Sequence, residues 1–392
     1  MTQIYADRNF EEPRSSQPVV LIVAAALLAL GLWQLSGQGW RQAALYGVGT
    51  ALGLVLYHAA FGFTSAYRRM IVERDVTAVQ AQLIMLAVAT VLFAPALADG
   101  TLWGRSVVGA VAPLGTQVAA GAFLFGLGMQ LGGGCGSGTL FTVGGGSPRM
   151  LLTLIAFCAG SFWASLHMQW WVNTPHLPAL SLGTELGWTG GVAFQLSLLA
   201  LIWFGLRKWG RASPPDPSPA SARRFLQGPW PLIWGALALA LLNWITLGIS
   251  GHPWTITWAF TLWGAKAATL LGWSPIGDWF WTGGFTERAL ASDLLRDETT
   301  VMDFGIIVGA LCAAAIAGRF APQFRISPGS LVAAIIGGLL MGYGARIGFG
   351  CNIGAFFSGI ASTSLHGWLW IVFALMGTWL GVKLRPFFSL TN

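Results

Sequence analysis

Hydrophobic and polar positions follow one another along this chain in long blocks, not residue by residue. Apolar runs fall near 18–36, 43–66, 77–97, 107–133, 150–171, 188–206, 229–249, 254–273, 304–320, 328–348 and 366–384. A helix needs roughly 20 apolar residues to cross about 30 Å of hydrocarbon. The eleven runs therefore predict an all-α membrane protein of about 9–11 helical segments, not all of which need cross fully. The alternation of a transmembrane β-barrel is absent, and the runs are too long for barrel strands. The first run follows a polar leader containing Glu11 and Glu12 and precedes no small-residue cleavage site. It reads as a retained helix and not as a signal peptide.

The polar stretches set the organisation. The clearest is 207–228, where Arg207, Lys208, Arg211, Arg223 and Arg224 flank Ser213-Pro214-Pro215-Asp216-Pro217-Ser218-Pro219. Proline supplies no amide donor and the tract has no apolar face, so it reads as a solvated linker. Five basic residues beside one acid place it in the cytoplasm. The expected division is a cytoplasmic N-terminal segment (1–17), a first membrane repeat (18–206), the linker (207–228) and a second membrane repeat (229–392). Lys383 and Arg385 place the C-terminus in the cytoplasm as well. Five alternating crossings after the linker would put it outside, so at least one segment is expected to enter and return. A second polar island, 274–303, holds six of the fourteen acids and begins with Trp273, Trp279 and Trp281. It reads as an interfacial helix or loop.

Composition narrows the class. Of 392 residues, 55% are hydrophobic and only 9% charged, against about 25% charged in soluble domains. Soluble enzymes and disordered chains are excluded. The net charge of +7 would suit a nucleic-acid binder. Here the basic residues lie between apolar runs, as topology signals in loops, and no nucleic-acid partner is expected. The partner implied is the lipid bilayer. Four cysteines without a C-x-x-C pair make no disulfide framework and no zinc or thioredoxin-like site. No nucleotide-binding loop is present, so neither cofactor nor metal is expected.

The chain also resembles itself. Placing Cys135 on Cys351 aligns Gly121 with Gly337, Gly126 with Gly342, Gly128 with Gly344, Gly132 with Gly348, Gly134 with Gly350 and Gly138 with Gly354. After a one-residue gap Gly160 meets Gly377. Two structural copies are expected, a common transporter build with the site between the halves. The stretches 132–138 and 348–354 are too rich in glycine for helix interior, each Gly costing about 1 kcal/mol relative to Ala. Each reads as a break between helical arms, buried in protein or lining a wet cavity. A helix following the break aims its N-terminal amides there, a favourable place for an anion. Close helix packing accounts for Gly121, Gly126, Gly337 and Gly342; it does not account for a thiol at the same point of both breaks.

The candidate substrate-binding set is therefore Cys135 and Cys351, with Gly134, Gly136, Ser137, Gly350 and Asn352 around them. A thiol can hydrogen-bond a polarizable sulfur or, as thiolate, exchange with a sulfur–sulfur bond. Asn352 either orients an oxyanion or caps a helix. Lys266 and Arg346 lie within or at the end of apolar runs. Such charges face a cavity, where an anion offsets their desolvation, or snorkel to the interface. Cys158 and Cys312 read as small buried hydrophobes.

The segment Arg346-Ile347-Gly348-Phe349-Gly350-Cys351-Asn352-Ile353-Gly354-Ala355-Phe356-Phe357-Ser358-Gly359-Ile360-Ala361 closely resembles the signature of the YeeE/YedE family of bacterial inner-membrane proteins. Ser364-Leu365-His366-Gly367-Trp368 looks most like the YedE branch, and Pro253-Trp254-Thr255-Ile256-Thr257 and the element around Cys135 are also similar to the family. The resemblance covers roughly 43–171 and 250–384. It implies a multi-pass inner-membrane protein, an hourglass of two inverted halves with helix–loop–helix units dipping in from both sides. It also implies uptake of thiosulfate, association with selenium metabolism in the YedE branch, and a relay of the anion through S–H···S contacts between cysteines. A soluble cytoplasmic sulfur-carrier protein is the partner suggested by the same analogy. Two family cysteines correspond to Cys135 and Cys351; where the third is expected, near Phe61-Gly62-Phe63-Thr64, this chain has Gly62.

Two functions stand on these residues. One is a transporter or channel, not an enzyme, passing a small sulfur- or selenium-containing anion between Cys135 and Cys351. The other is a membrane thiol–disulfide oxidoreductase using the same cysteines, which needs them within about 7 Å, Cα to Cα.

Overall fold

The computed structural model describes residues 15–212 and 222–392. Residues 1–14 and the core of the expected linker, including the Pro/Ser tract, lie outside the described residues. Fourteen helices of eight or more residues carry the fold. They are α1 (Pro18–Ser36), α2 (Trp40–His58), α3 (Phe63–Glu73), α4 (Thr77–Asp99), α5 (Thr116–Gly132), α6 (Gly136–Gly144), α7 (Pro148–Ser165) and α8 (Trp188–Trp209). After the linker come α9 (Leu232–Ser250), α10 (Thr257–Leu270), α11 (Gly284–Ala291), α12 (Glu298–Ile316), α13 (Pro328–Ile347) and α14 (Leu365–Leu384). Among the described residues strand is confined to two short antiparallel ribbons, Thr101–Leu102 with Arg105–Ser106 and Pro113–Gly115 with His176–Ala179.

Among the described residues ten helical stretches are long and apolar enough to cross a membrane, α2–α3, α5–α6 and α13 with the turn after it each counting once. The protein is a multi-pass, all-α membrane protein. Large apolar side chains on the outer faces, among them Ile22, Trp33, Ile155, Leu201, Leu270 and Trp379, stay uncovered by protein as lipid-facing positions require. Six of the ten stretches precede the linker and four follow it. The even number after the linker removes the conflict raised by the apolar run 254–273. Its helix, α10, has only 14 residues and starts inside the core at buried Trp254 and Ile256. Fourteen residues rise about 21 Å, short of the roughly 30 Å of hydrocarbon, so this half-span helix does not cross.

Backbones meet closely at glycines. A side chain at Gly121 would strike the backbones of Gly344 and Gly348, and one at Gly337 those of Gly128 and Gly132. Likewise Gly126 lies on Ala374 and Gly342 on Phe157, while Gly377 lies on Phe123 and Gly160 on Leu339. The contacts come in matched pairs: moving one residue of a contact 216 positions forward and the other 216 or 217 positions back gives the second contact. In a membrane, where burial of apolar surface gives no drive for association, such backbone approach is what holds helices together. It binds α5 to α13 and α14, and α13 to α7.

Candidate functional site

Each glycine-rich break ends in the same local geometry. Cys135 is extended (φ −88°, ψ −165°) and stands as N-cap of α6. Cys351 is extended (φ −108°, ψ −164°) and heads a π-helical turn, Asn352–Phe357, that runs into Ser358–Ala361. The Cys135 carbonyl accepts from Thr139 N at 2.8 Å and the Cys351 carbonyl from Ala355 N at 3.0 Å. The sulfurs accept as well, Cys135 Sγ from Gly138 N at 3.4 Å and Cys351 Sγ from Ile353 N at 3.4 Å. A thiol thus takes the place that Ser or Asp usually holds at a helix start. The turns ahead of the caps need left-handed backbone, supplied by Gly133 (φ +89°) in one and by Phe349 (φ +59°) in the other.

The two breaks touch. A Cβ on Gly136 would lie 2.9 Å from Cys351 Sγ and 3.6 Å from Ile256 Cγ2. Both thiols are buried and free. Gly134 and Gly136 therefore lie on the Cys135 side of one junction and Gly350 and Asn352 on the Cys351 side. Ser137 Oγ is 3.5 Å from Cys135 Sγ. Neighbouring segments hold this junction in place. Asn243 Oδ1 accepts from Trp254 N (2.8 Å), Asn243 Nδ2 donates to Ser358 Oγ (3.2 Å), and Ser358 Oγ donates to Trp254 O (2.7 Å). This ties residues 254–256 to the segment after Cys351. On the other side Gln130 Nε2 donates to Thr64 O at 3.0 Å, joining α5 to the start of α3. The Phe63 amide faces the Cys135 sulfur, and the Phe63 ring meets Phe356 edge-on at 6.5 Å.

Unpaired polar atoms gather at the junction. Tyr67 and Asn352 are fully buried and face each other. Yet Tyr67 Oη and both amide atoms of Asn352 lack a hydrogen-bond partner. Buried polar groups are nearly always paired, so this group has the character of a binding site between two thiols: a hydroxyl, an amide N–H₂ and an amide oxygen, none in a well-formed hydrogen bond.

The charged residues singled out in the sequence have other surroundings. Lys266 Nζ donates to Leu290 O at 2.9 Å and Ser292 O at 2.6 Å, so its charge closes the end of α11 and not the thiol junction. Arg346 is half-buried at the end of α13 with its guanidinium 5.2 Å over the Phe280 ring and its Nε unpartnered. The guanidinium nearest the Cys135 break belongs to Arg149, which sequence reasoning missed. Its Nη1 donates to Gly132 O at 2.6 Å, Nη2 to Leu131 O at 2.9 Å and Nε to Ser330 Oγ at 2.7 Å. Its signal was its place just after Ser147-Pro148, a helix start beside the break. Tyr67 was missed too, hidden beside Arg68 and Arg69; its signal was the i, i+4 spacing from Phe63.

Among the described residues no group of His, Cys, Asp and Glu could hold a metal ion. The segment after Cys351 ends at Ser362, on the wall of a cavity of about 240 Å³ also lined by Leu97, Gly109, Ser181, Thr184 and Trp188.

A family profile described as "Sulphur transport" matches residues 58–380. The chain is 27% identical over 356 residues to the thiosulfate transporter TsuA of Spirochaeta thermophila, covering 85% of this chain and 95% of that protein. It is 25% identical over 368 residues to the thiosulfate transporter TsuA of Escherichia coli, covering 86% and 94%. The probable transporter YedE of Escherichia coli is 33% identical over 163 residues, 41% of this chain and 40% of that protein.

Proposed function

The chain belongs to the sulphur-transport family, and from that premise we propose that it carries thiosulfate across the bilayer, passing the anion between the thiols of Cys135 and Cys351. It is a transporter and not an enzyme, and neither the family nor its named relatives support a thiol–disulfide oxidoreductase. The observation that carries the proposal is the pairing of two buried thiols, each capping a helix start, across Gly136. The terminal sulfur of thiosulfate is soft and polarizable, and an S–H group is a weak donor suited to it. Its three oxygens need donors, which Tyr67 Oη, Asn352 Nδ2 and the amides heading the two helices supply. Gly133 and Gly350 let the backbone turn there, Gly134 leaves room for Met150 and the start of α6, and Ser137 steadies the Cys135 thiol. Arg346 and Arg149 add positive charge beyond either break, whereas Lys266 serves its own loop.

Thiosulfate transport by full-length relatives supports this substrate. Gly62 in place of a third thiol makes the relay a two-cysteine one. The two halves are read as related repeats, supported by the matched glycine contacts and by the equal cap geometry of the two cysteines. The test is uptake of labelled thiosulfate into bacteria lacking other sulfate and thiosulfate permeases. Wild type should restore uptake, and Cys135→Ser or Cys351→Ser should abolish it at equal membrane abundance. Absence of uptake by well-inserted wild type would sink thiosulfate as the substrate and turn attention to selenium-containing analogues.

A further inference from the structure

Asp303 lies in α12, five residues past its first, with its side chain fully buried and both carboxyl oxygens without a hydrogen-bond partner. No role assigned above uses it. An ionisable side chain kept inside a membrane protein without a partner is costly, and such groups mark ion and proton pathways.

Its position connects it to the thiol junction. Helical spacing puts Asp303 on one face with Thr300, Ile307 and Ala310. Thr300 Oγ1 accepts from Trp263 Nε1 of α10 at 3.1 Å, and Ile307 and Ala310 press on Gly144 at the end of α6. Asp303 thus sits where α12 meets the helix that Cys135 caps and the half-span that starts at Ile256. A charge on it acts on the thiols of Cys158 and Cys351.

The ionisable groups on the elements packed around it leave it unpaired; Arg296, in the turn Leu294–Arg296 ahead of α12, is exposed, and Cys312 lies two turns further along α12. Neither α1 nor α6 carries any. On α2, Arg41 is engaged by Glu298, Tyr46 donates to Leu27 O, and Tyr57 and His58 lie at the far end near Arg319. On α10, Lys266 is held by carbonyls. From α7 comes Cys158, with Arg149 committed at its first turn. On α12 itself the nearest acids are Asp297, engaged at the cap, and Glu298, engaged by Arg41 and His252.

We propose that Asp303 is the proton-binding site of a proton-coupled anion transporter, an inference that rests on the transport reading above. The physical reason is electrostatic linkage. An ionised Asp303 repels an anion held at the thiols through a low-dielectric interior, and a protonated one does not. Protonation of Asp303 and occupancy of the thiol junction therefore favour each other, and such coupling is reciprocal. A proton that enters with the anion and leaves with it ties the two fluxes together. A metal cation is the poorer occupant, because it demands several oxygen ligands and this carboxyl has no oxygen at hydrogen-bond distance.

The experiment uses the full chain in proteoliposomes with labelled thiosulfate, comparing wild type with Asp303→Asn, the neutral isostere of the acid. At clamped membrane potential wild type should accumulate thiosulfate when the outside is acidic, each coupled proton adding about tenfold to the accumulation ratio per pH unit. Asp303→Asn should keep thiosulfate exchange and lose accumulation. The proposal fails if wild type carries thiosulfate indifferently to the pH gradient, if accumulation follows a sodium gradient instead, or if Asp303→Asn accumulates like wild type. A wild type that moves no thiosulfate in either direction removes the transport reading and this one together. Should Asp303→Asn not insert, Asp303→Glu decides: it should keep accumulation with a shifted pH dependence, and a pH dependence identical to wild type would overturn the proposal.

Discussion

The sulfur of Cys351 occupies the space that a side chain on Gly136 would need, 2.9 Å from where its Cβ would stand. Residue 136 is the first of the helix that Cys135 caps. One glycine therefore sets how closely the two thiol loops approach.

Gly136→Ala should push the loops apart. The methyl meets a sulfur and the Ile256 side chain, neither at the free end of a long chain, so overpacking of about 1–3 kcal/mol is expected. Thermal unfolding in detergent should shift down measurably, and thiosulfate uptake should fall more than membrane abundance does. Unchanged uptake would mean that the separation of the thiols does not matter.

Serine and alanine at the cysteines should part company. Both thiols accept a backbone amide as helix caps, and a serine hydroxyl caps at least as well. Cys135→Ser and Cys351→Ser should thus keep the wild-type melting temperature while losing uptake. Cys135→Ala should lose uptake and also about 1 kcal/mol of stability. A serine variant that melts early would show that its lost uptake reports folding.

Tyr67→Phe removes a buried hydroxyl that faces Asn352 without a well-formed hydrogen bond. Removing such a group should leave stability unchanged or raise it. If the hydroxyl donates to the anion, KM for thiosulfate should rise about tenfold, the equivalent of one hydrogen bond of about 1–1.5 kcal/mol. A stability loss with unchanged KM would place the hydroxyl in the fold and not in the site.

A pH-dependent contact lies at the rim. His252 Nε2 is 3.3 Å from Glu298 Oε2, whose other oxygen is 3.5 Å from Arg41. Burial works against the imidazolium, but the Glu298 hydrogen bond, the Pro253 carbonyl and the charges of Glu298 and Asp297 outweigh it and raise the His252 pKa above its usual 6.5. A raised folded-state value means that the contribution is fully present below about 6.5 and is lost as pH rises through the raised value. The melting temperature of His252→Gln should therefore fall below wild type near about pH 5.5 and converge with it at alkaline pH. The gap should be small, since the pair is partly exposed to solvent.

Much of this architecture was legible in the sequence because membrane spans and glycine breaks are local signals. Runs of apolar residues give the spans, and Gly132–Gly138 and Gly348–Gly354 announce two breaks with a thiol in each. The use of Lys266 was not legible, because its partners Leu290 and Ser292 lie at the end of α11, whose placement no periodicity encodes. Composition grouped Asp303 with the acids of the 274–303 island, yet it stands in the second turn of a buried helix. Tyr67 read as part of a basic anchor because its neighbours Arg68 and Arg69 dominate the pattern. Its meeting with Asn352 joins residues far apart in the chain and depends on the tertiary fold.

The glycine contacts have a mechanical consequence. Where the backbone of α13 lies directly on those of α5 and α7, no side chains stand between to slide or repack, and close-packed interiors do not deform continuously. The pair α5–α13 thus forms a stiff seam through the centre of the molecule. An ion that passes the thiols cannot do so by two halves swinging apart along that seam. The helices α6 and α10 are pinned in the same way, Gly144 on the backbone of Ile307 and Gly264 on that of Cys158, so motion should fall to the π-helical turn after Cys351 and the loop ahead of Cys135. If an anion passes the thiols, its cycle in so stiff a housing should displace few atoms.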